Sequence, residues 1–203
     1  MIYTIGEILK SKLIGFTYVD RISGVVQTAV KKNAAGNLVR YPIACDVDGK
    51  ECDDTGRYLD LIPNDRFKSV MYFEDLGGSQ FNEKNGNDLR FTSNIRLVGW
   101  LNLKELGKDD CHITAQVVAH IITRLESTQE INPIPFTRLK IAVISQLVRT
   151  PQIFGRYTYQ EDQTQYLMFP YDYFAIDFRV TYSINKSCVP EFNAGVPDEC
   201  LDK

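Results

Sequence analysis

Five carboxylates crowd one short stretch: Asp46, Asp48, Glu51, Asp53 and Asp54 in "CDVDGKECDD". Acids at alternate positions ahead of a glycine are the kind of ligands a calcium loop uses. The EF-hand order also needs a third oxygen ligand before its glycine and a glutamate well beyond it, and this stretch does not supply that order. It reads as a solvated acidic loop. His112 and His120 are the two histidines. On a helix their spacing turns them roughly 80° apart, given about 3.6 residues per turn. They cannot flank an ion as in H-E-x-x-H, and no carboxylate or cysteine stands at ligand spacing from them. Cys111 would sit at a helix N-terminus, where the dipole favours a thiolate, but Asp109 and Asp110 beside it oppose that. It reads as a small, half-buried hydrophobe. There is no G-x-S-x-G, no P-loop and no G-x-G-x-x-G. The expectation is a chain that is not an enzyme, with no catalytic residues, no metal and no cofactor.

The residue types suited to recognition lie elsewhere. In "LRFTSNIRLVGWLNL", alternation puts Arg90, Arg96 and Trp100 on one face and Phe91 on the other. In "YDYFAIDFRVTYSI", Phe174, Ile176, Phe178, Val180, Tyr182 and Ile184 share one face, and Asp177 and Arg179 belong to the polar face. Arg and Trp are enriched at the energetic centres of protein interfaces. Arg90, Arg96, Trp100, Asp177 and Arg179 are therefore expected at a subunit interface. The alternative is a solvated sheet face with one covered tryptophan. Tyr157, Tyr159, Tyr166, Tyr171 and Tyr173 form a further set that could line an apolar pocket.

These side chains need elements to hold them. "TIGEILKSKLIG" spaces Ile5, Ile8, Leu9 and Leu13 as a short amphipathic helix, which Gly15 could stop. Two β-rich runs flank "KKNAAGN" and predict a hairpin. Its second strand would place Val39, Tyr41, Ile43 and Cys45 on one face, with Pro42 marking an edge or a break. "FKSVMYFED" reads as a strand. "LGGSQFNEKNGND" is polar and glycine-rich, and reads as a loop arm over 76–88. "KDDCHITAQVVAHIITRLES" is the best helix, with Asp109 or Asp110 as its cap. "TRLKIAVISQLV" fits helix or buried strand equally. A strand, a turn at "QEDQTQ" and a long last strand broken at Pro170 complete the body. The order predicts an α+β domain: a mostly antiparallel sheet with two or three helices on one face and an extended hairpin or loop arm. One domain covers 1–185, and 186–203 is a C-terminal extension.

The totals set outer bounds. A chain of 203 residues with 44% hydrophobic and 24% charged residues can bury a core without staples. A net charge of −3 argues against gripping nucleic acid through its phosphates. No apolar run approaches a membrane span, and the first residues lack the basic start of a signal peptide. Five scattered cysteines point to free thiols in a reducing cytoplasm.

The layout resembles the small ring-forming proteins of tailed bacteriophages. These are the head–tail connector, tail-terminator and tail-completion proteins, including those of crAss-like Bacteroides phages. The resemblance rests on an N-terminal helix, an early hairpin, a long polar loop, a capped helix and the closing "FPYDYFAIDFRVTY". It implies a structural virion protein of the neck or tail, made in the bacterial cytoplasm. It implies partners as well: other copies of itself in a ring, and neighbouring portal, neck or tail proteins. DNA would pass through the lumen during ejection without specific binding, and no membrane would be involved. Two other readings stand beside it: a small-ligand or peptide-binding module, and a metal-dependent hydrolase built on the 46–54 acids with a histidine.

Overall fold

Period-two patterning organises the chain in a computed structural model that describes residues 1–32, 36–44, 61–107, 112–126, 136–143, 150–158 and 166–188. The elements run α1 (Ile2–Leu13), β1 (Arg21–Lys32), β2 (Leu38–Ala44), β3 (Ser69–Asp75), β4 (Gln80–Asn85), β5 (Asp88–Asn102), α2 (His112–Glu126), β6 (Phe136–Val143) and β7 (Tyr171–Asn185). The sheet order is β2-β1-β3-β5-β7-β6, with β4 paired to β5 off that path. All pairs are antiparallel except β1 with β3. This is the expected α+β class, a mostly antiparallel sheet carrying two helices.

β5 and β7 form the centre. Their register runs unbroken from Asp88↔Asn185 to Asn102↔Tyr171. Partners in register point to the same side, so each strand's alternation is matched by the other's. Phe91, Ile95, Leu97 and Leu101 join Phe174, Ile176, Phe178, Val180, Tyr182 and Ile184 on one face. There they meet Ile5, Leu9 and Leu13 of α1 and Ile113, Val117, Ile121 and Leu125 of α2. These helical positions recur every four residues, which is one stripe of a helix. Thr114 on α2 donates to the Asp172 carboxylate at 2.5 Å and fastens the helix to β7.

The opposite face carries a second core. Val26, Val70, Tyr72, Val98, Trp100 and Ala175 are covered there by Leu61 and by Ile153, Phe154 and Tyr157. Ile153 and Phe154 come from a 3-10 turn, Pro151–Phe154.

Several expectations change against this frame. Thr137–Val148, left open between helix and strand, contains β6 as far as Val143. The 76–88 arm contains β4. Gly86, with φ of 59°, is the first central residue of the two-residue turn between Asn85 and Asp88. A positive φ at that position is what a type II′ hairpin turn requires. The strand expected just before "QEDQTQ" is absent among the described residues, where the 3-10 turn and residues 155–158 lie. On β2, Pro42 and Ala44 are buried while Tyr41 and Ile43 are half-buried. The second core draws in Ala44 there. Pro42 does stand on an edge strand, as expected. The expected caps Asp109 and Asp110 lie outside the described residues.

α1 reaches the sheet through glycine. A Cβ on Gly6 would stand 2.6 Å from the backbone nitrogen of Val25. Replacing a helical glycine with alanine ordinarily stabilises by about 1 kcal/mol. Here the clash is with backbone, so Gly6→Ala should destabilise, by roughly 1–3 kcal/mol as for other overpacking. Urea denaturation of the two proteins checks the sign.

Candidate interaction surface

The sheet face away from the helices carries the expected interface residues. It divides into a covered half and an open half.

The covered half begins with one cross-strand row, Glu74–Arg96–Asp177. Arg96 Nε donates to Asp177 Oδ1 at 2.6 Å, and Nη2 donates to Oδ2 at 3.0 Å. This is the two-pronged geometry that makes guanidinium–carboxylate pairs strong. Asp177 raises the Arg96 pKa chiefly through that hydrogen bond. Glu74, 1% exposed, accepts a 2.8 Å hydrogen bond from the Tyr157 hydroxyl. The Arg156 guanidinium lies 4.0 Å from its other oxygen. Burial pushes the Glu74 carboxyl above its ordinary range, and the Tyr157 hydrogen bond and the two arginines only partly offset that.

Trp100 sits further along the same face. It is 1% exposed, so it is a core residue and not an interface contact. Its indole donates to the Tyr166 carbonyl at 2.6 Å. Its ring stacks on Tyr171 at 5.2 Å and meets Tyr166 edge-on. Tyr173 packs edge-on against Phe154, and Tyr157 against Tyr72. The tyrosines expected to line a pocket thus pack ring against ring. Tyr159 lies outside the described residues.

The open half lies toward the other end of β5 and β7. Three rows make it up: Arg90–Ser183–Arg138, Thr92–Thr181–Lys140 and Asn94–Arg179–Ala142. Arg90, Arg138, Lys140 and Arg179 are exposed. No carboxylate occupies these nine positions. Glu83 on β4 is the register partner of Arg90. Arg138, Lys140 and Arg179 form no ion pair among the described residues. Of the five expected interface residues, Arg90 and Arg179 belong to this open half. Arg96 and Asp177 are occupied with each other at its border. Arg138 and Lys140 were missed. Their signal is the alternation in "TRLKIAV", where Leu139 and Ile141 turn to the core.

Two sheet edges differ in cover. On β2, the Arg40 carbonyl accepts a 2.8 Å hydrogen bond from Thr158 N–H. On β6, no strand pairs with the outer edge among the described residues.

A cleft of about 390 Å³ opens beside α2, lined in part by Thr17, Tyr18, Gln116 and His120. The Tyr18 hydroxyl is buried without a hydrogen-bond partner among the described residues, and burial pushes its pKa up to about 12. His112 and His120 are both exposed on α2. Among the described residues no group of three or more His, Cys, Asp and Glu could hold a metal ion. The 46–54 acids and Cys111 lie outside the described residues. No helix among them is long and apolar enough to cross a membrane. No protein-family model matches this sequence, and no curated protein matches it.

The Glu74 site has a pH signature. With its pKa raised in the fold, the folded state holds more protons than the unfolded one between the ordinary glutamate range and that raised value. Stability therefore falls as pH rises through this window. Glu74→Gln keeps an oxygen for Tyr157 and cannot ionise. It should lack that slope and exceed the parent in stability at neutral pH. Urea unfolding at steps from about pH 4 to about pH 8 compares the two. Parallel slopes would remove Glu74 as the cause.

Proposed function

We propose that this chain is a structural virion protein of a tailed phage, a subunit of a homo-oligomeric ring in the neck or tail. The observation that carries the reading is where large apolar side chains are exposed. Val30 and Leu38 are 57% and 65% exposed on the β1–β2 hairpin, and Phe81 is 57% exposed on β4. Met168 and Phe169, at 68% and 73%, precede β7 on a turn held by the Tyr171 N–H to Met168 carbonyl hydrogen bond. Apolar side chains gathered on separate projections suit contacts with several neighbours better than one enclosed ligand.

In this reading each subunit gives one surface to the copy ahead and another to the copy behind. Such head-to-tail contacts close into a ring when the rotation per subunit closes. The β6 edge, with which no strand pairs among the described residues, supports it, because an unpaired strand edge invites pairing or cover by a neighbour. The two hairpins would reach adjacent portal, neck or tail proteins, and DNA would pass through the centre without specific binding. A small-ligand-binding module is the second reading, favoured by the cleft beside α2.

Light scattering on the purified chain, followed by negative-stain imaging, tests the ring. The expected result is a large species with a central hole. The double variant Phe81→Asp/Phe169→Asp should dissociate it to monomers with an unchanged circular dichroism spectrum. A chain that stays monomeric at the highest concentration it tolerates would turn attention to the cleft.

A further inference from the structure

Exposed cations gather on the open half of the sheet face, where Arg90, Arg138, Lys140 and Arg179 stand in adjoining cross-strand rows. Arg138 and Lys140 are two residues apart on one strand and share a side, so they stand about 7 Å apart. Arg179 is diagonal to Lys140 across β6 and β7, a separation of about 7–8 Å. Asp177 shares this side two residues from Arg179 but is held by Arg96, so like charges this close disfavour the fold unless a further anion meets them.

We infer that this basic face docks the acid-rich segment 189–203 of the same chain. Its sequence, "VPEFNAGVPDECLDK", holds Glu191, Asp198, Glu199 and Asp202 against a single Lys203. The segment follows directly on the strand that carries Arg179. β7 ends at Asn185, two residues after Ser183 of the first open row, and a short 3-10 turn, Lys186–Cys188, leads out of it. The open rows cover about 14 Å along the strands and about 10 Å across them. Ten residues, from 189 to 198, span up to about 35 Å when extended, so they can cover that area. Tethering raises the effective concentration of such a segment into the millimolar range, and individually weak charge pairs then suffice. A docked segment also gives the face a role compatible with free passage of DNA, since its carboxylates occupy the cations that would otherwise hold phosphates. The dock does not require that the chain form a ring.

Zero-length carbodiimide coupling of the full chain tests this, because Lys140 is the ammonium group in the cluster. An equal mixture of unlabelled and ¹⁵N-labelled protein is coupled and mapped by mass spectrometry. Lys140 should link to Glu191, Asp198, Glu199 or Asp202, and the linked peptides should carry matching labels. The yield should fall several-fold in about 0.5 M salt, where charges are screened within a few ångströms. It should fall likewise in Arg138→Glu/Arg179→Glu. The salt arm stands even if that variant does not fold. Linked peptides with mixed labels as frequent as matched ones would overturn the proposal in favour of a neighbouring copy's segment. No link from Lys140 to this segment would also overturn it. So would duplex DNA binding by the unaltered chain in physiological salt that the double variant loses, which would make the face a nucleic-acid surface.

Discussion

The pairing of β5 with β7 is the constraint on which the rest depends. Each strand has fifteen residues, and every one has a partner in the other. A slip of one residue would send the phenylalanines and isoleucines of β7 to the polar side and bring Asp177 and Arg179 under the helices. The apolar alternation of both strands excludes that slip. Gly99 adds a local lock. It stands opposite Phe174, whose ring lies over it, and a Cβ there would be 2.3 Å from that ring. The large side chain fills the space the small one leaves.

Once the register is fixed, the two faces separate in character. The helical face is apolar along most of its length and is closed by α1 and α2. The other face changes along the strands, from Trp100 under Tyr166 and Tyr171, through the Glu74–Arg96–Asp177 row, to the exposed cations. The middle row is a border of a specific kind. Asp177 and Arg96 are partly buried and bound in two places, so each satisfies the other. Glu74 lies deeper, beneath Tyr157, and burial tells against its charged form. Beyond this row Arg90, Arg138, Lys140 and Arg179 are exposed.

Much of this was legible in the sequence, where one-sided burial leaves a mark. α1, α2, β5 and β7 each bury one face, so their periods appear as 3.6 or 2. β4 did not appear because "QFNEKN" has only Phe81 to mark a side, and a polar hairpin resembles a loop. β6 was ambiguous because "TRLKIAVISQLV" mixes β-branched residues with leucine, which suits a buried helix as well. The burial of Trp100 was beyond reach for a different reason. Alternation assigns a residue to a face but does not say what covers that face. Its cover comes from Tyr166 and from Phe154 and its neighbours, more than fifty positions away in sequence. The partnership of Arg96 with Asp177 needed the β5–β7 register, which alternation alone leaves free to shift by two.

The polar side of β7 thus meets three environments in one strand. Tyr173 and Ala175 meet packed protein, Asp177 meets a single arginine, and Arg179 meets none of the described carboxylates. The sheet itself gives no reason for the last of these. Cross-strand stability favours opposite charges or hydroxyls at neighbouring positions, and the threonines Thr92 and Thr181 supply the hydroxyls, 3.5 Å apart. The same-face positions around Thr181 are Thr92, Lys140, Arg179 and Ser183. None of these four is a carboxylate that could offset the two cations. Asp177, one step further along the same face of β7, is already held by Arg96, so the cations of the open half meet no carboxylate within these rows.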